Sequence, residues 1–173
     1  MTQGATQSAV PAPAFERRDD IGRLVAVTWH GTGAGTDGNT AGGRWLVAID
    51  GSECSLRTLA SAVQLVAPGH DREVDLVCVQ PWLVKEAAQT ELPRRGWATT
   101  AQARELLDTA KVRWRLHVVL GDAAPEIASM AEALGSSAIA IGSHGLTATE
   151  SLLLGSVAYK VVHLAKLPIL IVR

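Results

Sequence analysis

Between residues 142 and 156 the chain reads GSHGLTATESLLLGS, in which Gly142, Gly145 and Gly155 follow a G-x-x-G-x9-G spacing that ends on Ser156. The spacing has a physical use. Glycines at 142 and 145 let the backbone turn tightly and approach a ligand, and Gly155 followed by Ser156 opens a helix whose first amides have no intrahelical acceptor. Such amides, with the helix dipole behind them, form an anion site, and the hydroxyls of Ser143 and Ser156 add donors beside it. A di- or triphosphate can be held this way without a lysine. Two glycines three apart also suit a bare strand-end turn, so the third glycine and the serine carry the specificity.

Other chemistries find little support. A P-loop ATPase needs G-x-x-x-x-G-K-[ST], and no such string occurs. Related adenylating folds hold pyrophosphate with an S-G-G-x-D-S type of loop after the first strand; here that place reads DGSECS (50–55), without the glycine pair. No trio of nucleophile, base and oxyanion donors stands at recognisable spacing, so slow hydrolysis of a bound nucleotide is the furthest an enzymatic reading goes. Cys54 and Cys78 have no partner at metal-ligand spacing, and His30, His70, His117 and His163 share no ligand spacing either. With 16 Lys and Arg against 17 Asp and Glu, the net charge of −1 offers neither a nucleic-acid nor a membrane footprint. The five tryptophans are irregularly spaced and do not suggest a base-stacking platform. With no apolar run near the ~18 residues a bilayer requires, and no apolar leader, the chain is expected to be soluble and cytoplasmic.

The glycine loop needs elements to position it, and these begin near residue 44. Half of the 16 glycines fall in residues 1–43, a Gly/Thr-rich segment read as a flexible extension with one strand-like island, RLVAVTWH, at 23–30. From there the pattern alternates. WLVAID (45–50) reads as a strand buried on both faces, and Ser52 caps a helix with Leu56, Leu59, Ala60, Val63 and Val66 on its apolar stripe. EVDLVCVQ (73–80) is the second strand, followed by an irregular region containing Pro93 and a Thr-capped helix at 99–111. RLHVVL (115–120), a helix burying Ile127, Met130, Ala131 and Leu134, SAIAIG (137–142), a helix at 156–166 and LPILIVR (167–173) complete the series. The alternation predicts an α/β fold with an open five-stranded parallel sheet and helices on both faces, its ligands at the carboxyl ends of the strands. The residues to inspect there are Asp50 to Ser52, Val79 to Pro81, Gly121, Asp122 and Gly142 to Gly145.

With that loop in that place, the chain resembles the universal stress protein family, and in particular its ATP-binding branch. That branch carries G-x-x-G-x9-G followed by Ser or Thr, matched at Gly142, Gly145, Gly155 and Ser156. The likeness covers 44–173, including a first strand ending in Asp50 and a Gly with a helix-entering Ile six positions on, Gly121 and Ile127. It implies a Rossmann-like fold of the adenine nucleotide alpha hydrolase type and ATP, with or without Mg²⁺, as ligand. Asp50 then lies by the ribose and phosphates, where it can meet Mg²⁺ through phosphate or water, while Ala48 and Ile49 flank the adenine and the backbone of Val79 faces its edge. Ile141 packs on the base, Gly142, Ser143 and Gly145 line the phosphates, and Gly155, Ser156 and Val157 close the pocket. His144 falls at a variable position, read as turned to solvent or touching phosphate. The chain departs from the family at Ser137, where Asp is common, and has no basic residue at 146. The likeness also implies homodimers through Pro168 to Val172. The function expected is that of a nucleotide-responsive regulatory or stress-resistance module, with a dimeric scaffold that binds no nucleotide as the alternative.

Overall fold

The computed structural model describes residues 9–31, 43–66, 73–145 and 154–173. They form one sheet of seven strands in the order β1-β2-β5-β4-β3-β6-β7. The strands are β1 Phe15–Arg18, β2 Leu24–His30, β3 Trp45–Ala48, β4 Glu73–Gln80, β5 Arg113–Leu120, β6 Ala138–Gly142 and β7 Ile169–Val172. The five expected strands are all present and mutually parallel. The count of five is too low by two, because the strand-like island at 23–30 is recruited as β2, antiparallel to β5, and β1 pairs with β2 in turn. The physical reason is burial: Leu24, Val25, Ala26, Val27 and Trp29 all leave water in β2, and five such side chains outweigh the glycine-rich composition around them.

Helices α1 Glu53–Leu65, α2 Lys85–Thr99 and α3 Ala101–Thr109 cover one face of the sheet, while α4 Ala123–Ala133 and α5 Ser156–Leu164 cover the other. Strand side chains divide accordingly. Val47, Leu76, Cys78 and Leu116 pack with Leu59, Leu92 and Leu107, whereas Leu46, Val77, Ile139 and Ile141 pack with Ile127 and Val161. Ser52 caps α1 as expected, its Oγ accepting from the Ser55 amide at 3.1 Å.

The region around Pro93 is helical rather than irregular. Helix α2 buries only Ala88, Leu92 and Gly96, a stripe one residue wide at four-residue intervals, too narrow to stand out by periodicity. Gly96 is what lets this helix lie on β5, because a Cβ there would come 2.3 Å from Val118 Cγ1. Thr100 begins α3, but its hydroxyl donates back to the Gly96 carbonyl at 2.8 Å instead of capping.

A buried polar network ties the added strands to the parallel core. Asp75 on β4 is fully buried and accepts two hydrogen bonds from Arg115, Nε at 2.7 Å and Nη2 at 2.8 Å. Arg44 Nε lies 3.4 Å from the same carboxylate. His117 Nε2 approaches Asp75 Oδ1 at 3.3 Å, and its Nδ1 meets Thr28 Oγ1 on β2 at 3.1 Å. Burial alone would raise the Asp75 pKa, but the hydrogen bonds from His117 and Arg115 hold it below the ordinary carboxylate value.

The order in which the parallel strands are added reverses between β3 and β6. From β3 the strands step outward to β4 and β5, then the chain returns to β6 and β7 on the other side, so the crevice at the strands' carboxyl ends opens beside Asp50 and Gly142.

Two tests follow from this packing. Asp75→Asn takes from Arg115 the carboxylate that accepts both of its hydrogen bonds and is expected to remove about 3–5 kcal/mol at neutral pH. A carboxylate with a lowered folded pKa contributes stability above its unfolded pKa of about 3.9 and loses it as pH falls through the folded value. Urea unfolding of the two proteins should therefore differ most near pH 7 and converge in acid. Gly96→Ala should lower the urea midpoint through overpacking of about 1–3 kcal/mol. Combined with Val118→Ala, which opens space at the same point, its cost should shrink in a double-mutant cycle.

Candidate functional site

Past β3, the Ile49 amide still pairs with the Val77 carbonyl at 2.9 Å, and the chain then turns away through Asp50. The Asp50 carboxylate is fixed by the turn it makes. Its Oδ1 accepts from the Ser52 amide at 3.0 Å and from Ser52 Oγ at 2.6 Å. Its Oδ2 faces the loop after β6, so closely that a Cβ on Gly145 would lie 2.6 Å from it. One oxygen of this acid thus serves the start of α1, and the other is turned toward the glycine loop.

The loop is held from both sides at Ser143. This residue donates its amide to the Val172 carbonyl of β7 at 2.7 Å, and its own carbonyl accepts from the Gly155 amide at 2.8 Å. The second bond draws the start of α5 against the end of β6. Close neighbours explain each glycine of the spacing: beside the contact of Gly145 with Asp50, a Cβ at 142 would meet Cys54 Sγ at 2.9 Å, and one at 155 would meet the Ser143 carbonyl oxygen at 2.9 Å. Gly155 is the N-cap of α5, its carbonyl accepting from Tyr159 at 2.9 Å. Helical geometry then leaves the amides of Ser156, Val157 and Ala158 without intrahelical acceptors, pointing out of the helix start.

The structure brings most of the expected residues to this crevice, with two differences. The Ser143 amide does not face a ligand, because β7 ends beside it and takes its hydrogen. Its hydroxyl is also engaged, 2.9 Å from His144 Nδ1, and the residue is buried. Ile49 does not share a face with Ala48, since strand side chains alternate. Ala48, Val79 and Ile141 lie on the side of α4 and α5, while Ile49 is packed into the cluster under α1 and α2. Asp50, Gly142, Gly145, Gly155, Ser156 and Val157 stand where the spacing places them, and His144 is half-buried against Ser143 rather than turned wholly to solvent. Position 146 and the rest of 146–153 lie outside the described residues.

Three participants escaped the sequence reading. The Val172 carbonyl accepts from both the Ser143 amide and, at 3.4 Å, Cys54 Sγ, a role no side-chain pattern announces. Cys54 fills the space beside Gly142 from α1. Lys160, one helical turn beyond Ser156, lies 4.0 Å from Asp122, the residue that begins α4 at the same end of the sheet. Its i+4 spacing from Ser156 was the available signal.

Chemically, the crevice joins apolar walls, outward helix amides, the Ser156 hydroxyl and one carboxylate oxygen. That combination suits an anion attached to a flat apolar body. The cysteines supply no nucleophile: both are free and buried, and burial pushes the Cys78 thiol up to about 11. Among the described residues no three metal-ligating side chains gather, so a divalent ion here would depend on the ligand's own oxygens together with Asp50.

Residues 43–173 match the universal stress protein family. The chain is 31% identical over 146 residues to the universal stress protein YxiE of Bacillus subtilis, covering 75% of this chain and 98% of that protein. It is also 31% identical over 137 residues to the universal stress protein Rv2005c of Mycobacterium tuberculosis, of which it spans 44%. Among solved structures, MJ0577 superposes with a TM-score of 0.67 at 25% identity, over 76% of this chain and 95% of that one. A universal stress protein from Archaeoglobus fulgidus gives 0.60 at 21%, over 75% and 98%, a likeness of fold. The chain therefore belongs to the universal stress protein family.

Proposed function

We propose that this protein binds an adenine nucleotide, ATP with or without Mg²⁺, at the carboxyl ends of β3, β4 and β6, and acts as a nucleotide-responsive regulatory or stress-resistance module. The observation that carries the reading is the hydrogen bond from Gly155 to Ser143, which sets the start of α5 against the glycine loop, whose Gly145 lies against Asp50. The phosphates lie at the amides of Ser156 and Val157 with the Ser156 hydroxyl, and the base lies on the side of Ala48, Val79 and Ile141. Asp50 Oδ2 is the group that would hold Mg²⁺ beside the phosphates, where the ion would supply charge to offset the repulsion between the two anions. Two proteins of the same fold, each 20% identical to this chain, were solved with cAMP and with dAMP, and that chemistry is consistent with this reading. Binding energy spent on the phosphates stabilises one conformation that a partner can read, and no residue here is assigned a catalytic step.

We also propose a homodimer formed through β7. The strand has no pairing partner on its outer side among the described residues, and Ile171 is exposed. On α5 the side chains of Tyr159, Val162 and Leu164 are exposed as well. This surface is the observation that favours the scaffold alternative, in which dimerisation alone is the function. The described residues include no helix long and apolar enough to cross a membrane, in keeping with a cytoplasmic role.

ATP should raise the thermal midpoint by roughly 5–10 °C at about a hundredfold excess over its Kd, since a native-state ligand then adds about 2.7 kcal/mol. Gly145→Ala, which forces a methyl against the held Asp50 carboxylate, should lower the ligand-free midpoint and remove the ATP-dependent shift measured from that new baseline. An unshifted wild-type midpoint in millimolar ATP and Mg²⁺, with no nucleotide released from the freshly purified protein, would select the scaffold. Ile171→Lys should convert the dimer to monomer by sedimentation velocity while keeping the ATP-dependent shift.

A further inference from the structure

The parallel strands by themselves would end at β5 on one side and β7 on the other. Strand β5 is eight residues long and buries Trp114, Leu116, Val118 and Leu120. Left bare, its outer N–H and C=O groups would form a long apolar edge, a ready template for another chain. Residues 15–30 precede the stretch that matches the family, and they lie along this edge as the β1–β2 hairpin. Strand β2 occupies it from the Ala26–Val119 pair to the His30–Arg115 pair and buries Leu24, Val27 and Trp29 beneath it.

Strand β1 then lies outermost, and it differs from β2 in what governs pairing. All four of its residues are exposed, three of them are charged, and its register slips between Arg17 and Arg18. Glu16 and Arg18 pair at 3.0 Å, and Arg18 also donates to the Gly22 carbonyl at 3.3 Å, so charge and a bulge stand where a further strand would have to lie. The hairpin turn is pinned. Asp19 Oδ1 accepts from the amides of Ile21 and Arg23, and Arg23 Nη1 donates to the Leu83 carbonyl beyond β4. The opposite edge, β7, reads ILIV and carries no charge.

We infer that the β1–β2 hairpin is an edge seal: it closes the β5 side of the sheet with a charged, bulged strand and leaves β7, among the described residues, as the edge able to accept a second copy of this chain. A two-fold β7 contact closes on itself, whereas a chain open at both edges can join heterologously and grow without end. The inference rests on the proposed dimer only for the identity of the open edge; the sealing of the β5 side stands on the hairpin itself.

The test is sedimentation velocity over a concentration series, with cooperative thermal unfolding as the sign of a folded protein. The parent chain should sediment as one species whose coefficient stays flat. The same chain carrying Glu16→Thr, Arg17→Val and Arg18→Thr keeps the hairpin backbone but removes its charges, and its coefficient should climb with concentration past that of the dimer. Adding Ile171→Lys to those three changes should cap the assembly at pairs. A folded triple variant that sediments as the parent does at every concentration would overturn the seal, as would a parent that itself grows without limit. A parent that is monomeric while the triple variant associates would overturn the β7 dimer and leave the seal standing.

Discussion

The site depends on the two backbone hydrogen bonds at Ser143. One binds the end of β6 to the last residue of β7, and the other binds it to the first residue before α5. Together they force a strand, a loop and a helix start into contact with no side chain between them. That demand explains why glycines stand at 142 and 155, where a Cβ would press on Cys54 and on the Ser143 carbonyl. The glycine spacing is therefore first a rule for assembling the loop. Presentation of the α5 amides follows from the assembly, because a helix that begins against a strand end must point its unpaired donors into the crevice there.

Much of this was legible in the sequence. Alternating apolar runs and capped periodic segments identified all five parallel strands, and Ser52 marked the start of α1, because each signal is local. Gly142, Gly145, Gly155 and Ser156 were singled out for a similar reason, their spacing along the chain, and Asp50 as the residue that ends the first expected strand. What was missed depends on partners distant in sequence. Pro93 suggested irregular structure, yet α2 forms around it because Ala88, Leu92 and Gly96 find β2, β4 and β5 to lie against. Ser143 was expected to line the phosphates, and only the arrival of β7, close to 30 residues later, shows that its amide is already engaged. Ile49 was grouped with Ala48 by adjacency, although strand alternation sends the two to opposite faces.

The N-terminal strands show the same limit most clearly. A segment with half the chain's glycines contains seven residues that become an interior strand, because β5 offers a long apolar edge and Thr28 meets the His117–Asp75 network. Their stability is thereby linked to the core of the sheet rather than to the extension in which they lie. The same hairpin reaches the carboxyl end of the strands, where Arg23 lies over the Trp82 ring at 5.4 Å and bonds the Leu83 carbonyl. The segment following Val79 is thus braced by residues outside the family match.

The most direct test of the nucleotide reading is an amide chemical-shift titration of the labelled protein with ATP and Mg²⁺. The account predicts that the resonances of Ser156, Val157, Ala158 and Gly145 move together with a common Kd, that Val79 follows, and that the strand pairs of β1 and β2 stay still. Saturating ATP that leaves the first turn of α5 unperturbed, or that shifts only residues remote from Asp50 and Gly145, would contradict it.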